Sequence, residues 1–565
     1  MSCKVFSWKA KTACQSALQT GGASDKGQKE AVKEAEGTAK EDLPLAKYPE
    51  TVTVHLGGKM NPNAKIPKGM SFEDNSYTRL LKENLNIQVV YDWTASTSDY
   101  DEKMSLCIGS NTIPEIMNVN ATQYRALLKY DMIQPLDKYF DDYASDALKS
   151  YVKSGGEELQ KCITNEDGEL MAIPAPNLTA GGVNEMWIRQ DWLDALGLDV
   201  PRTWDELAEV AKAFVTRDPD GNGENDTIGI LGPGNSDHMN AVGGNQFGLD
   251  PLFSCFQSYP QYWLKSEDGS VEYGSIQPET KTALENISKL YADGVIDPET
   301  LVRSDSKEPL LAGKVGIFFG PWWCAYTFAD TTLSGSADWR AYFTPLSEDG
   351  KYYTHMAEPT TQYVVASKDC KNPEAAFKII NYIVANEQKW VEEGVTSTEM
   401  GTGDFYPLYN TYDNADEIEK SYEALTKYLA GDISMDDVDF STHKLLKNDM
   451  EAVTKLKKKP YDDFSLKYWN LDSDLAKTNL PRLVAIMVGD APLVNEEYVP
   501  VYNAYNGQTE TMEAKWANLK KMEEETFAKI IMGKADISEF DTFVKNWKNQ
   551  GGDQILKEIN DELSK

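Results

Sequence analysis

Apolar and polar positions alternate from Thr51 to Leu56, Thr-Val-Thr-Val-His-Leu, and the run ends in Gly57-Gly58. A period of two predicts a strand, and the glycine pair predicts a turn after it. The stretch SYTRLLKENLNI then carries helical spacing, Ile87 to Tyr91 reads as a second strand, Tyr100 to Cys107 as a helix and Ile113 to Met117 as a third strand. Strand and helix in short alternation imply a parallel sheet covered by helices. The pattern returns with a strand at Met186 to Arg189, a helix at Trp204 to Phe214 behind a Thr203 cap, and a strand at Val315 to Phe319 ending in Gly320-Pro321. A second α/β lobe follows. From about Asp416 the chain becomes richer in helix, and Glu513 to Met532 places Trp516, Leu519, Met522, Phe527 and Ile530 near one face. Residues 20–47 are small and charged with few large apolar groups, the composition of a flexible tether.

Length agrees with two lobes, since 565 residues exceed one ordinary core. The net charge of −34, from 90 acidic and 56 basic residues, repels phosphate backbones and anionic headgroups, which excludes nucleic acid and direct membrane-surface binding. The same field argues mildly against a polyanionic ligand, although a local basic pocket can override distant charge through screening. Seven cysteines (Cys3, Cys14, Cys107, Cys162, Cys255, Cys324, Cys370) show no CxxC pairing, and the four histidines (His55, His238, His355, His443) are scattered, so neither a zinc site nor a disulfide framework is indicated. No apolar run is long enough to span a bilayer. Residues 1–18 begin with basic residues and contain Thr12-Ala13-Cys14, similar to the end of a lipoprotein signal, without the apolar stretch such a signal needs before its cysteine.

Three segments carry a resemblance. In residues 185–207, EMWIRQDWLDALGLDVPRTWDEL, Gly197 closes a short helix, Pro201 blocks its continuation, and Thr203 with Glu206 forms a capping box. Residues 312–323, AGKVGIFFGPWW, lead a strand into a Gly-Pro-Trp turn, and residues 506–561 end in a helix, an Ile-Ile-x-Gly stop and a Phe540/Phe543/Trp547 stripe. With weaker support from NPEAAFKIINYI at 372–383, these resemble the bacterial extracellular solute-binding proteins of family 1, in their large glycan-binding branch related to alginate-oligosaccharide binders. The resemblance implies a two-lobed periplasmic-binding-protein type II fold with a helical C-terminal extension. Lobe one would hold 49–183 and 361–435, and lobe two 184–360 and 436–565, after a leader remnant and tether over 1–48. It further implies a monomeric receptor of an ABC importer, lipid-anchored at Cys14 on the outer face of the cell membrane in the Gram-positive manner. Such a receptor captures an oligosaccharide by hinge closure, delivers it to membrane permease subunits, and performs no catalysis.

In this fold class the ligand touches loops at the C-terminal ends of strands. That selects Lys59 after Gly58, Trp93, Asn118 and Asn120, Glu185 and Trp187 at the first crossover, Trp322 with Trp323 as its substitute for stacking on a sugar ring, and Glu358 with Tyr363 near the second crossover. For each taken singly, a loop or core role is an equal reading. Residues 218–229, DPDGNGENDTIG, place Asp218, Asp220, Asn222, Gly223 and Asp226 at positions one, three, five, six and nine of an EF-hand-like loop, with Gly229 where an EF-hand has its bidentate Glu. The glycan-binding relatives imply a structural calcium ion here, with Glu224 contributing its backbone carbonyl. A metal-free acidic turn is the alternative. An oligopeptide receptor is the rival within the binding class, and a glycoside hydrolase the rival outside it, since both use aromatic clefts and carboxylates.

Overall fold

The computed structural model describes residues 43–64, 66–234, 246–333, 337–392, 405–408, 412–440, 443, 445–454 and 474–564. Cys14 lies outside the described residues. Strands β1 (Val52–Met60), β2 (Ile87–Ser96), β3 (Ile116–Val119) and β4 (Ile173–Pro176) come first. The chain then crosses to β5 (Glu185–Arg189), β6 (Ile228–Ile230), the hairpin β7 (Trp263–Lys265) and β8 (Val271–Tyr273), β9 (Val315–Gly320), β10 (Trp339–Tyr342) and β11 (Tyr352–His355). It returns in β12 (Thr360–Ala366) and crosses once more to reach β13 (Tyr498–Val501).

These strands form two main sheets, ordered β2-β1-β3-β12-β4 and β10-β5-β9-β6. The first pairs β1 in parallel with β2 and β3, while the returning β12 runs antiparallel to β3 and β4. Each sheet has its own apolar core. One gathers residues from Val54 to Ala175 and from Tyr363 to Tyr412, and another runs from Met186 to Phe319 and on to Tyr505–Ile559. A third cluster, which includes Trp187, Phe318, Trp322, Ile418, Leu425, Met450, Leu480 and Ile486, packs on the second sheet. The expected two-lobed α/β fold is therefore present. Helix Glu417–Ala430 falls on the second side of the divide, since Ile418 and Leu425 are buried in that third cluster; the expected first-lobe range ran through 435.

Local chemistry accounts for the boundaries. Thr203 and Glu206 form the capping box of helix Trp204–Thr216, and Gly197 ends helix Gln190–Leu196 at a positive φ of 65°. Gly57-Gly58 behaves differently from the turn expected of it. Strand β1 runs through both to Met60, with a register shift between Leu56 and Gly57. The absence of a side chain is what permits this: a Cβ on Gly57 would stand 2.6 Å from the Trp93 ring, and one on Gly58 2.8 Å from Phe72.

The C-terminal helix Glu510–Ile531 docks as its stripe implies, with Leu519, Phe527 and Ile530 buried and Trp516 and Met522 half-buried against the second core. Its Glu523 is fully buried and accepts hydrogen bonds from the Tyr273 and Ser275 hydroxyls, each at 2.8 Å. Burial pushes this carboxyl up to about 7, against the pull of those two donors. A group with a raised folded-state pKa binds its proton more tightly folded than unfolded. Its contribution to stability is therefore full below the unfolded value near 4 and falls as the pH rises toward 7. Glu523→Gln is expected to remove this part of the pH dependence, so that variant and wild type diverge between pH 5 and pH 8 by on the order of 2 kcal/mol in favour of the variant. Denaturant melts at the two pH values read the difference, and parallel curves would refute the assignment.

Candidate functional site

Three segments join the lobes, and they are bonded to one another. The Asn177 N–H donates to the Pro359 carbonyl at 2.9 Å, the Thr179 N–H to the Ala415 carbonyl at 2.8 Å, and the Asn177 side-chain amide to the Glu358 carbonyl at 2.7 Å. Gly182 lies against Ala357, where a Cβ would stand 2.8 Å from the Ala357 nitrogen. Beside this seam the lobes leave a groove made of two conjoined cavities, of about 470 Å³ and about 290 Å³, which share Glu358, Asn503, Tyr505 and Asn506. Glu358 also lines a small hollow of about 40 Å³ among the crossing segments.

The first-lobe wall begins at helix Ala121–Lys129. Asn120 caps it, its side chain accepting from the Gln123 N–H at 3.0 Å, which fixes the direction in which Tyr124 and Arg125 project. Tyr124 stacks on Tyr363 of β12 with ring centres 4.5 Å apart. Helix Gly156–Ile163 adds Glu158, Lys161 and Cys162. The opposite wall is the segment after β13, Tyr502–Asn506, held to the β7 strand by Asn503 accepting from the Trp263 N–H and by the Ala504 N–H donating to the Trp263 carbonyl, both at 2.8 Å. Trp263 stacks with Trp516 at 5.4 Å. The Arg125 guanidinium lies 5.9 Å from the Tyr505 ring across the groove. Tyr505 in turn donates its hydroxyl to Glu562 at 3.0 Å. Burial raises the Glu358 carboxyl above its usual range, with Arg125 pulling the other way, and lifts the Cys162 thiol to about 11. Tyr502 and Trp516 are the half-buried rings of the groove. Aromatic faces beside amides, a guanidinium and a carboxyl make a surface suited to an elongated polar ligand with apolar faces.

The residues singled out from sequence fall in three places. Glu358 and Tyr363 line the groove. Lys59 and Asn118 line a separate first-lobe pocket of about 180 Å³ with Tyr91, Tyr100, Gln362 and Tyr406, where the Asn118 amide donates to Gln362 at 3.1 Å and the Lys59 ammonium sits 5.6 Å from the Tyr100 ring. The rest serve packing. Trp93 rests on Gly57 and beside Tyr100 at 5.3 Å, and Asn120 is the helix cap. Trp187, Trp322 and Glu185 are buried inside the second lobe and do not form a cleft wall. The reason is Gly489, whose missing side chain lets the turn before Asp490 close on the Trp322 backbone and the Trp187 ring. Glu185 faces the equally buried Asp490, and desolvation with their mutual repulsion raises its carboxyl far above the usual range. Trp323 is the more exposed of the tryptophan pair and packs beside the third cluster. Arg125, Tyr502, Tyr505 and Trp516 were missed as groove residues. The run Tyr502-Asn503-Ala504-Tyr505-Asn506 interleaves rings with amides and is the signal that points to Tyr502 and Tyr505, while Arg125 and Trp516 carry none.

In the acidic loop, Asp218 and Asp220 both accept from the Asn222 N–H, at 3.1 and 3.3 Å, and Asp220 and Asp226 both accept from the Asn222 side-chain amide, at 2.8 and 3.3 Å. Lys314 ion-pairs Asp226 at 2.9 Å. No group of three or more His, Cys, Asp or Glu among the described residues has metal-binding geometry. The donor set still suits a hard cation, because three carboxylates and an amide oxygen stand on one short loop. No side-chain ligand fits at Gly229, where a Cβ would stand 2.7 Å from the Ala211 and Val295 carbonyls.

Two sheets joined by three bonded crossings around a groove define a two-lobed binding protein. The chain belongs to the bacterial extracellular solute-binding protein family, whose model matches residues 64–390, more than half of its length. It is 30% identical over 259 residues to the fructooligosaccharide ABC transporter substrate-binding protein FusA of Streptococcus pneumoniae, covering 43% of this chain and 45% of that one. The chain thus spans less than half the length of this relative. It is 23% identical over 519 residues, 89% of this chain and 92% of the other, to the polygalacturonan/rhamnogalacturonan-binding protein YtcQ of Bacillus subtilis. The fold is shared with the alginate-binding protein AlgQ2, solved without calcium ion, at a TM-score of 0.53 and 16% identity over 92% of this chain and 99% of that one. It is also shared with an EF-hand mutant of the S. pneumoniae FusA protein in complex with fructo-nystose, at a TM-score of 0.51 and 18% identity over 91% and 99%. No helix among the described residues is long and apolar enough to cross a membrane.

The contact of Gly182 with Ala357 yields a paired test. Gly182→Ala is expected to destabilise the protein by about 1–3 kcal/mol, because the new methyl meets the backbone of another crossing segment. At Gly181 the nearest atom to a new Cβ is 3.7 Å away, so Gly181→Ala is expected to be near neutral. Equal denaturation midpoints for the two variants would show that the seam does not constrain this position.

Proposed function

We propose that this protein is the substrate-binding component of an ABC importer and that it captures an oligosaccharide in the groove between its lobes. The observation that carries the reading is the groove itself, where Glu358 on a crossing segment meets Arg125 of one lobe and Tyr502–Asn506 of the other. A solute touching both walls stabilises the closed arrangement over the open one by its differential contacts, and the closed form is the one handed to a membrane permease. The fructooligosaccharide-binding and polygalacturonan/rhamnogalacturonan-binding relatives support a carbohydrate over a peptide. Lys59 and Asn118, in their own first-lobe pocket, form a subsite for a longer chain. Lipid attachment at Cys14 tethers the receptor outside the cell, in keeping with a family of extracellular proteins.

A thermal-shift screen against neutral and acidic oligosaccharides tests this directly, since a ligand selective for the native state raises the melting temperature. Tyr502→Ala is expected to weaken the responding glycan about tenfold through loss of ring contact, and X-ray scattering is expected to show a smaller radius of gyration with ligand. A peptide that stabilises where no glycan does would transfer the reading to the peptide receptor. Released reducing ends would transfer it to a hydrolase.

Asp218, Asp220, Asn222 and Asp226 hold a calcium ion in this reading, with the Glu224 carbonyl, and the ion supplies charge neutralisation that pins the loop between helix Trp204–Thr216 and β6. Lacking a twelfth-position carboxylate, the site binds weakly, which extracellular calcium tolerates. Millimolar calcium at tenfold excess over its Kd is expected to add about 1.4 kcal/mol of stability, and Asp220→Ala is expected to abolish the increment. A melting temperature unmoved by calcium or by a chelator would sink the assignment.

A further inference from the structure

The surface of this chain is strongly acidic, yet cations gather in the groove. Arg125, Lys161, Lys265 and Lys520 line its two cavities, against Glu158, Glu358 and Glu562. Two of the three acids are already engaged. Glu158 pairs with Lys161, and Glu562 accepts the Tyr505 hydroxyl at 3.0 Å. The third, Glu358, is biased toward its neutral form by burial. Arg125 is left over. One of its terminal nitrogens is buried without an acceptor, and among the described residues no carboxylate lies within 4.0 Å of its guanidinium.

A buried guanidinium nitrogen left without an acceptor is costly, and the planar fork of donors matches a carboxylate better than it matches scattered hydroxyls. The net charge of the whole chain does not oppose such a partner, because screening limits distant charges to roughly 8–10 Å while the groove brings its cations much closer. Tyr505 covers one side of Arg125 at 5.9 Å, and the half-buried Tyr502 on the same wall offers a face for a sugar ring.

We propose that Arg125 is the specificity-determining residue of the groove and that the oligosaccharide captured is acidic, with a uronic-acid carboxylate paired to this guanidinium. The inference rests on the oligosaccharide-capture reading and narrows it to one substrate class. Lys265 and Lys520 extend the favourable field along the groove, so that more than one acidic sugar of a chain is accommodated.

The test compares each uronate trimer, galacturonate and mannuronate, with its fully methyl-esterified form, which keeps the shape and removes the charge. Calorimetric titration of the full chain is expected to show at least one acid binding about tenfold or more tighter than its ester, with the advantage shrinking as salt is raised. Arg125→Met is expected to erase the advantage by weakening the acid more than the ester; an unchanged melting temperature in the absence of glycan shows that the variant is folded. Arg125→Lys is expected to keep part of it. Acid and ester bound equally by the wild type, or a preference that survives Arg125→Met, would overturn the proposal. A neutral glycan that binds where neither uronate does would overturn it too while leaving oligosaccharide capture standing. Failure of every glycan, charged or neutral, would remove both.

Discussion

Everything about the groove depends on how the three crossing segments hold one another. A lobe attached by a single strand could take any attitude toward its neighbour. Here the Asn177 and Thr179 amides donate to carbonyls on the other two crossings, and Gly182 brings backbone to within van der Waals reach of Ala357. Amides and carbonyls turned away from water need partners, and the crossings supply them to one another. Glu358, in the middle of one crossing, is thereby placed where the two conjoined cavities of the groove meet.

The second lobe uses its extra chain to build walls. Helices Glu417–Ala430 and Leu446–Thr454, with the stretch from Leu480 to Val488, pack with Trp187 and Trp322 in the third cluster. The C-terminal helix packs on the β7–β8 hairpin through Glu523, and the hairpin carries Trp263 and so positions Asn503 and Ala504. A buried carboxyl that itself lines neither cavity thus supports the wall opposite Arg125. This is the usual relation between a precise site and the packing that backs it.

How much of this could be read from sequence follows from the range of the forces involved. Alternation and helical spacing are local, so the two α/β lobes, the capping box at Thr203 and Glu206 and the C-terminal stripe were legible. Glu358 and Tyr363 were found from the order of strands, since a residue at a crossing is near the cleft whatever the side chains do. Trp187 and Trp322 misled because their burial is decided by Gly489, about 170 residues beyond the later of the two and without any mark in the pattern around them. Gly57 and Gly58 read as a turn because two glycines usually make one, and only the Trp93 ring over Gly57 shows that they serve close packing. Arg125 and Tyr505 face each other through tertiary structure alone.

That last pairing bears on biogenesis. Arg125 emerges early in synthesis and Tyr505 near its end, and the wall that carries Tyr505 stands on β7 and on the helix that follows it. The first lobe can complete its own core only after β12 arrives, and the groove only after the final helices dock. Contacts of such high sequence separation form late and slowly. Competence to bind is thereby tied to the arrival of the last elements of the chain, and a molecule halted before they dock carries Arg125 on an open lobe with nothing across from it.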